Sequence, residues 1–337
     1  MPISLKDIAR LANVSEATAS LALNGRGGVN AQTRQRVQQI ASENGYLPNA
    51  MACRLSKSKS GTIGLVIPDL ENPFFGKLAR CIDAQVRGAG YNTVIGLSNE
   101  DPETEDSVLR YFISNRVEGI LIAPADMLRA DLSPIRQISE NYGIPYVFAT
   151  SYYPGLEAPV VMTDLESGSY SLVRYLLGLG HRNIYFIGGK REIVSTACRL
   201  NGYIRAFAEY GLVAGDERLC ECERCNFYEA YYSTCGILKN DRRVNAIVTV
   251  NDVMALGVLK ALNENHIKIP DDISVAGYDN LMFSSVSMIP ITTVSQDVES
   301  ISREAVNVLL KKISGTGRDE SDTVLIRPEL IIRQSTG

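Results

Sequence analysis

The stretch "LKDIARLANVSEATASLALN", residues 5–24, carries two short helical patterns with almost nothing between them. Leu5, Ile8, Ala9 and Ala12 recur at i, i+3, i+4 and i+7, the spacing of one helix face. Asn13 tolerates the left-handed conformation, so it closes that helix and begins a turn of three or four residues. Ser15 then stands where a hydroxyl accepts from the free amides of the next helix. Ala17, Ala19, Ala22 and Leu23 let the second helix pack closely on the first, and its other side is left small and polar. Residues 33–44, with Val37, Ile40 and Ala41, read as a third helix ended by Gly45. Three short helices make one small unit.

Charge sets this unit apart from the rest of the chain. Residues 1–60 hold eight Lys/Arg against three acids, whereas the whole chain of 337 residues carries a net charge of −4. A basic head on an acidic body predicts that the head alone meets a polyanion. The opening residues lack the basic stretch and apolar core of a secretory signal, and no apolar run reaches the ~18 residues of a membrane span. A cytoplasmic protein is expected, with its seven cysteines as free thiols.

Beyond the head, "PNAMACRLSKSKSG" (48–61) offers a proline able to start one or two helical turns, followed by a Ser/Lys/Gly linker. The pattern then changes to apolar runs of strand length alternating with helical stretches: "TIGLVIP" (62–68), "NTVIGLS" (92–98), "GILIAP" (119–124), "PYVFAT" (145–150), "NIYFIGG" (183–189), "AIVTVN" (246–251) and "ISVAGYD" (273–279). Strands apolar on both faces and separated by helices predict parallel sheets covered on both sides. The span is too long for one such sheet. Two doubly wound α/β lobes are expected, the second series starting near "APVVMTD" (158–164), with a ligand cleft beyond the carboxyl ends of the strands. The domain boundaries read as 1–47 for the helical headpiece, 48–60 for the linker and 61–337 for the core. Lobe 1 is placed at about 61–160 and 291–320, and lobe 2 at about 161–290 and 321–337.

Taken together, "LKDIARLANVSEATASLALN", "GYLPNAMACRL" (45–55), "TIGLVIPDLENPFF" (62–75), "RVEGILIAP" (116–124), "GHRNIYFIGG" (180–189), "RLNGYIRAF" (199–207), "NDVMALGVLKAL" (251–262) and "IPDDISVAGYDN" (269–280) resemble the LacI/GalR family of bacterial transcriptional regulators. The resemblance covers essentially the whole chain. It implies an all-α helix-turn-helix headpiece, a hinge helix, and a periplasmic-binding-protein-like core that dimerises and binds a small effector. The expected activity is that of a regulator, a repressor before an activator, and not an enzyme. The small, polar side of the second helix then has a reason: it lies in the major groove, where base edges display donors and acceptors.

On that reading Glu16, Ala17, Ser20 and Leu21 face the bases. Many family members carry an arginine where this chain has Leu21, and an arginine takes guanine by two hydrogen bonds. Leu21 offers an apolar contact suited to a thymine methyl, unless it packs inside the headpiece; Glu16 suits a cytosine amine. Ser15, Thr18, Asn24 and Tyr46 are candidates for phosphate contacts, which fix register without reading sequence. Leu55 matches the hinge leucine that the family wedges into the minor groove.

Asn72, Phe74, Arg199, Asn251, Asp252 and Asp279 all follow expected strands or open the next helix, and are the candidate effector contacts. Arg199 and Asp279 match family positions that bind effector hydroxyls or ring atoms, unless they form an ion pair between the lobes. Asp252 also reads as a cap for a helix starting at Val253. Two departures bear on the ligand. Sugar-responsive members often carry an Asp-Arg pair where this chain runs "SYYPG" after "PYVFAT", and the chain has no tryptophan. A carbohydrate leads, with a nucleobase, a nucleoside, a sugar phosphate or no effector left open. Cys220, Cys222, Cys225 and Cys235 do not follow the paired spacing of a zinc site, so no metal or cofactor is expected. The partners expected are double-stranded operator DNA, a small effector and a second copy of the chain, with no membrane. The rival from another class is a receptor or enzyme on the same two lobes.

Overall fold

A computed structural model describes residues 3–23, 27–46, 60–124, 128–316 and 323–337. The chain separates into two compact units, Met1–Gly61 and Thr62–Gly337.

In the first unit, α1 (Leu5–Leu11) opens on a capping box in which Ser4 and Asp7 satisfy each other's backbone amides. Asn13 does take the left-handed conformation, at φ 51°. Ser15 caps α2 (Glu16–Leu23) by accepting from the Thr18 amide at 3.0 Å. The third helix, α3 (Ala31–Glu43), starts two residues before the expected position because Asn30, not a later residue, supplies the cap, to the Thr33 amide at 2.8 Å. The core is built from Ile8, Ala9, Ala12, Ala19, Ala22, Val37 and Ala41. Alanines dominate it because three short helices must approach closely before so small a unit can exclude water. The expected linker at 48–60, with Leu55, lies almost wholly outside the described residues.

The second unit holds two sheets. The first is built from β1 (Thr62–Ile67), α4 (Pro73–Gly88), β2 (Asn92–Leu97), α5 (Pro102–Ser114), β3 (Gly119–Ile122), α6 (Ser133–Glu140), β4 (Tyr146–Ala149) and β5 (Val160–Thr163). The chain then crosses over through α7 (Leu165–Gly178), β6 (Ile184–Gly188), α8 (Val194–Glu209), β7 (Leu219–Glu221), α9 (Phe227–Asn240), β8 (Ala246–Thr249), α10 (Asp252–Glu264), β9 (Ser274–Asp279), α11 (Met282–Val286) and β10 (Thr292–Ser295). It returns as α12 (Val298–Ile313) against the first sheet, gives that sheet its edge strand β11 (Thr323–Ile326), and ends on the second with β12 (Glu329–Ile331). The orders are β11-β5-β4-β3-β1-β2 and β12-β10-β9-β8-β6-β7. All pairings are parallel except β12 against β10. The strands β1, β3, β4, β5, β6, β8 and β9 are buried along their whole length, as their unbroken apolar runs require.

The expected lobe boundaries need correcting by one strand at each crossing. Residues 160–163 complete the first sheet instead of opening the second, residues 292–295 belong to the second sheet, and residues 323–326 return to the first. Hydrophobicity alone does not say which neighbour a buried strand pairs with.

Glycine sets the helix spacing in lobe 2. A Cβ on Gly202 of α8 would sit 2.2 Å from the Glu166 carbonyl oxygen and 2.7 Å from the Tyr170 amide on α7. Both are backbone atoms, which a rotamer change does not move. We predict that Gly202→Ala costs about 1–3 kcal/mol or more, read as a drop in urea midpoint; an unchanged midpoint contradicts the close approach.

Candidate functional site

Between the two sheets of the second unit, at the carboxyl ends of their strands, is a narrow pocket. Asn72, Phe74, Arg199, Asn251, Asp279 and Gln296 are in its wall, with Ser151 and Ser195 beside them. Five of the six residues expected in the cleft therefore meet there. Each is placed by local sequence logic. Asn72 caps α4 through the Phe74 amide at 3.0 Å, with Pro73 at the first helical position. Phe74 is 5% exposed and packs edge-on against Phe75. Asn251 caps α10 through the Met254 amide at 2.8 Å, and its amide nitrogen donates to the Cys225 carbonyl at 2.9 Å.

Arg199 and Asp279 form the charged centre. Each is 8% exposed. The guanidinium lies 4.3 Å from the centre of the Tyr278 ring, donates to the Ser195 carbonyl at 3.1 Å and stands 3.7 Å from the Asp279 carboxylate. Asp279 is held at φ +100° and Asn280 at φ +52°, a pair of left-handed residues that turns the carboxylate away from the sheet and into the cleft. Asn280 is fixed in turn by Ser295 and by Arg333. Gln296 donates to Asp279 at 2.7 Å. Two buried polar atoms in this cluster have no hydrogen-bond partner, Arg199 Nε and Gln296 Oε1. Such atoms are costly to leave unmet, and both belong to pocket-wall residues.

Asp252 is the exception among the expected cleft residues. It is the first residue of α10 and the cap is Asn251, so the expected capping role passes one position back. Its carboxylate is fully buried and accepts from the Leu281 amide (2.8 Å), Ser284 (2.8 Å) and Thr293 (2.7 Å). It thereby ties α10, the turn that follows Asp279, and β10 together within lobe 2. Burial, helped by the charge of Asp279, pushes its pKa up to about 7 against the pull of those three donors. Released in the unfolded chain, the group returns to 3.8. The folded protein therefore holds a proton between those values that the unfolded chain gives up. The associated stability is present at the acid end and is lost as pH rises through about 7. We expect the melting temperature to fall from pH 6 to pH 8 and Asp252→Asn to flatten that slope. Equal slopes in the two proteins rule out Asp252 as its source.

Sequence reasoning missed Gln296, Ser151 and Ser195. Gln296 follows the end of β10 just as Asp279 ends β9, and that signal was available; the stretch was assigned to a lobe boundary instead. Cys220, burial-shifted up to about 11, keeps its proton at neutral pH, and Cys222 is buried 3.6 Å from the Ser233 hydroxyl. The described cysteines form no disulfide, and among the described residues no group of three or more His, Cys, Asp or Glu is arranged around a metal position.

In the first unit, the residues expected to read bases, Glu16, Ala17, Ser20 and Leu21, are all on α2. Its buried residues are Ala19 and Ala22. Ala17, Ser20 and Leu21 lie on the opposite side by helical spacing and Glu16 on the flank; Glu16 and Ala17 are exposed, Ser20 and Leu21 half-buried. Leu21 is absent from the apolar residues packed on the headpiece core, so its side chain is not spent there. The Ser15 and Thr18 hydroxyls bond each other at 2.8 Å. Tyr46 packs against the core from the end of the unit. Asn24 lies outside the described residues.

A helix-turn-helix unit and a two-lobed core with a charged interlobe pocket, on one chain, define a ligand-responsive DNA-binding regulator. Residues 4–49 match the family described as bacterial regulatory proteins, lacI family, and residues 173–336 match the periplasmic binding protein-like domain. The HTH-type transcriptional regulator DegA of Bacillus subtilis (strain 168) is 31% identical over 336 residues, covering 100% of this chain and 98% of DegA. The HTH-type transcriptional repressor CytR of Escherichia coli (strain K12) is 32% identical, covering 99% and 96%. The crystal structure of the Lac repressor dimer bound to operator and the anti-inducer ONPF superposes with a TM-score of 0.87 at 25% identity, covering 100% of this chain and 99% of that one. The chain belongs to the lacI family of bacterial regulatory proteins. Among the described residues no helix is long and apolar enough to cross a membrane.

Proposed function

We propose that the protein is a homodimeric cytoplasmic repressor whose grip on its operator is set by a small polyhydroxylated effector held by Arg199, Asp279 and Gln296. The observation that carries this reading is the pair of unmet buried atoms, Arg199 Nε and Gln296 Oε1, flanking a carboxylate. One guanidinium donor, one amide acceptor and one carboxylate suit vicinal hydroxyls, each of which both gives and takes a hydrogen bond. Arg199 and Asp279 come from lobe 2, Asn72 and Phe74 from lobe 1, and Gln296 from the strand crossing between them. A ligand touching all three biases the angle between the lobes, and an equilibrium between two lobe arrangements couples effector to DNA.

Duplex DNA is engaged by α2, with Glu16, Ala17, Ser20 and Leu21 on base edges. Ser15, Thr18, Asn24 and Tyr46 serve the phosphates, and Leu55 serves the minor groove. The test is fluorescence anisotropy of the full-length protein on fragments selected from a random pool. A dimer meeting several phosphates is expected to lose about a thousandfold in affinity between about 50 and 200 mM salt. Salt-independent binding rejects the headpiece assignment. The sugar-like effector is tested by thermal shift against sugars, nucleosides and bases, with Arg199→Ala as the control.

A further inference from the structure

We propose that the cleft accepts a two-ring effector, with a hydroxyl-bearing ring on Arg199, Asp279 and Gln296 and a flat, apolar substituent in a side pocket beside Tyr152 and Val194. The inference rests on the effector reading above and adds the second ring.

The side pocket has a volume of about 220 Å³ and is walled by Leu128, Leu132, Tyr152 and Pro154 from lobe 1 and by Ile193 and Val194 from lobe 2. It adjoins the central pocket through a shared wall residue: Ser151 lines both, and Ile193 and Val194 directly precede Ser195 of the central wall. Among the described residues, the one cation in its wall, Arg129, is already spent. The Arg129 side chain is 2% exposed and paired with Glu105 at 2.5 Å and with Asp106, while Glu105 also accepts from the Tyr153 hydroxyl at 3.2 Å. Two carboxylates hold the guanidinium and fix the wall, leaving it no spare positive charge for a ligand. Glu192 stands at the rim and is exposed.

The two compartments therefore differ in chemistry. The buried atoms without partners, Arg199 Nε and Gln296 Oε1, lie in the central one. The side pocket offers mainly aliphatic and aromatic residues, with Ser151 also in its wall. A molecule filling both places its hydroxyls at the centre and its apolar plane at the side. Nucleosides and aryl glycosides share that chemistry; free sugars and free bases each supply half of it. "SYYPG" is what makes the difference: Ser151, Tyr152, Tyr153 and Pro154 all line the side pocket.

The experiment measures melting shifts and calorimetric affinities of the full-length protein. The compounds are adenosine, cytidine, uridine, phenyl β-glucoside and phenyl β-galactoside, each beside its parent sugar and its free base or phenol. At least one composite compound is expected to bind about tenfold tighter than its parent sugar, because the side pocket removes one ring face from water. Val194→Trp is expected to shrink that advantage to about threefold or less while leaving the parent sugar unaffected. Leu128→Trp, at a residue 52% exposed, gives the same outcome at a position where folding is not at stake. The proposal is overturned if no composite compound binds, if none outdoes its parent, or if the tryptophan variants weaken parent and composite equally. A ligand whose binding needs Arg199 and ignores both tryptophans overturns the side pocket and leaves the central reading intact. A composite that binds equally well to Arg199→Ala overturns the central reading and this one with it.

Discussion

Replacing Arg199 with alanine is expected to abolish the response to effector, weakening binding by at least about a hundredfold, while the protein still binds operator. Arg199 is desolvated, stacked on Tyr278, and is the cation beside Asp279 in the pocket. Its removal takes away the charged donor and leaves the buried Asp279 carboxylate without this cation. Breaking a buried ion pair by removing one partner costs about 3–5 kcal/mol. Arg199→Lys separates charge from geometry. Lysine keeps the cation but loses the planar fork and the ring stacking, so a variant that binds effector as wild type does shows that charge alone is used. The measurement is calorimetry with whichever compound stabilises the wild-type protein, paired with operator titration in its presence.

The second large effect concerns the choice of operator. Leu21 lies on the side of α2 opposite Ala19 and Ala22 and is not packed on the headpiece core. Leu21→Arg is therefore expected to fold and to acquire a preference for guanine at one position of each half-site, by about 1–3 kcal/mol. Because a dimer reads two half-sites, the preference counts twice on a symmetric operator. Selection from a random DNA pool, run in parallel on the two proteins, measures it. A wild-type pool already dominated by guanine at that position contradicts the assignment of Leu21 to a base.

Much of this molecule is legible in its sequence, and the illegible parts have physical causes. The helix-turn-helix was readable because Asn13 and Ser15 do the turning and capping themselves, using local bonds. Six of the seven strands read from apolar runs were legible because burial on both faces writes such runs, whereas β2 carries its run on a half-exposed edge. Strands β7, β11 and β12 were not: they are short and half-exposed, so their sequences carry neither a run nor a clean alternation. The first edge-to-sheet assignment failed for Val160–Thr163, since pairing depends on which neighbour the chain later brings alongside. At the site, Arg199 and Asp279 were found from their places in the family pattern, whereas Gln296 needed the knowledge that β10 ends at the cleft. Asp252 shows the converse. A carboxylate after a strand has the signature of a ligand contact, and only its three internal donors reveal that its work is inside the lobe.

The order in which the chain visits its sheets also governs how it is made. Lobe 1 receives its outer strand from residues 323–326, and lobe 2 receives its own from 329–331, so neither half is finished until those residues have left the ribosome. A nascent chain stalled after α12 exposes an open flank on both β5 and β10 at once. The synthesising cell must shelter two unpaired borders for the length of that wait, and a cut before residue 323 leaves both of them bare for good.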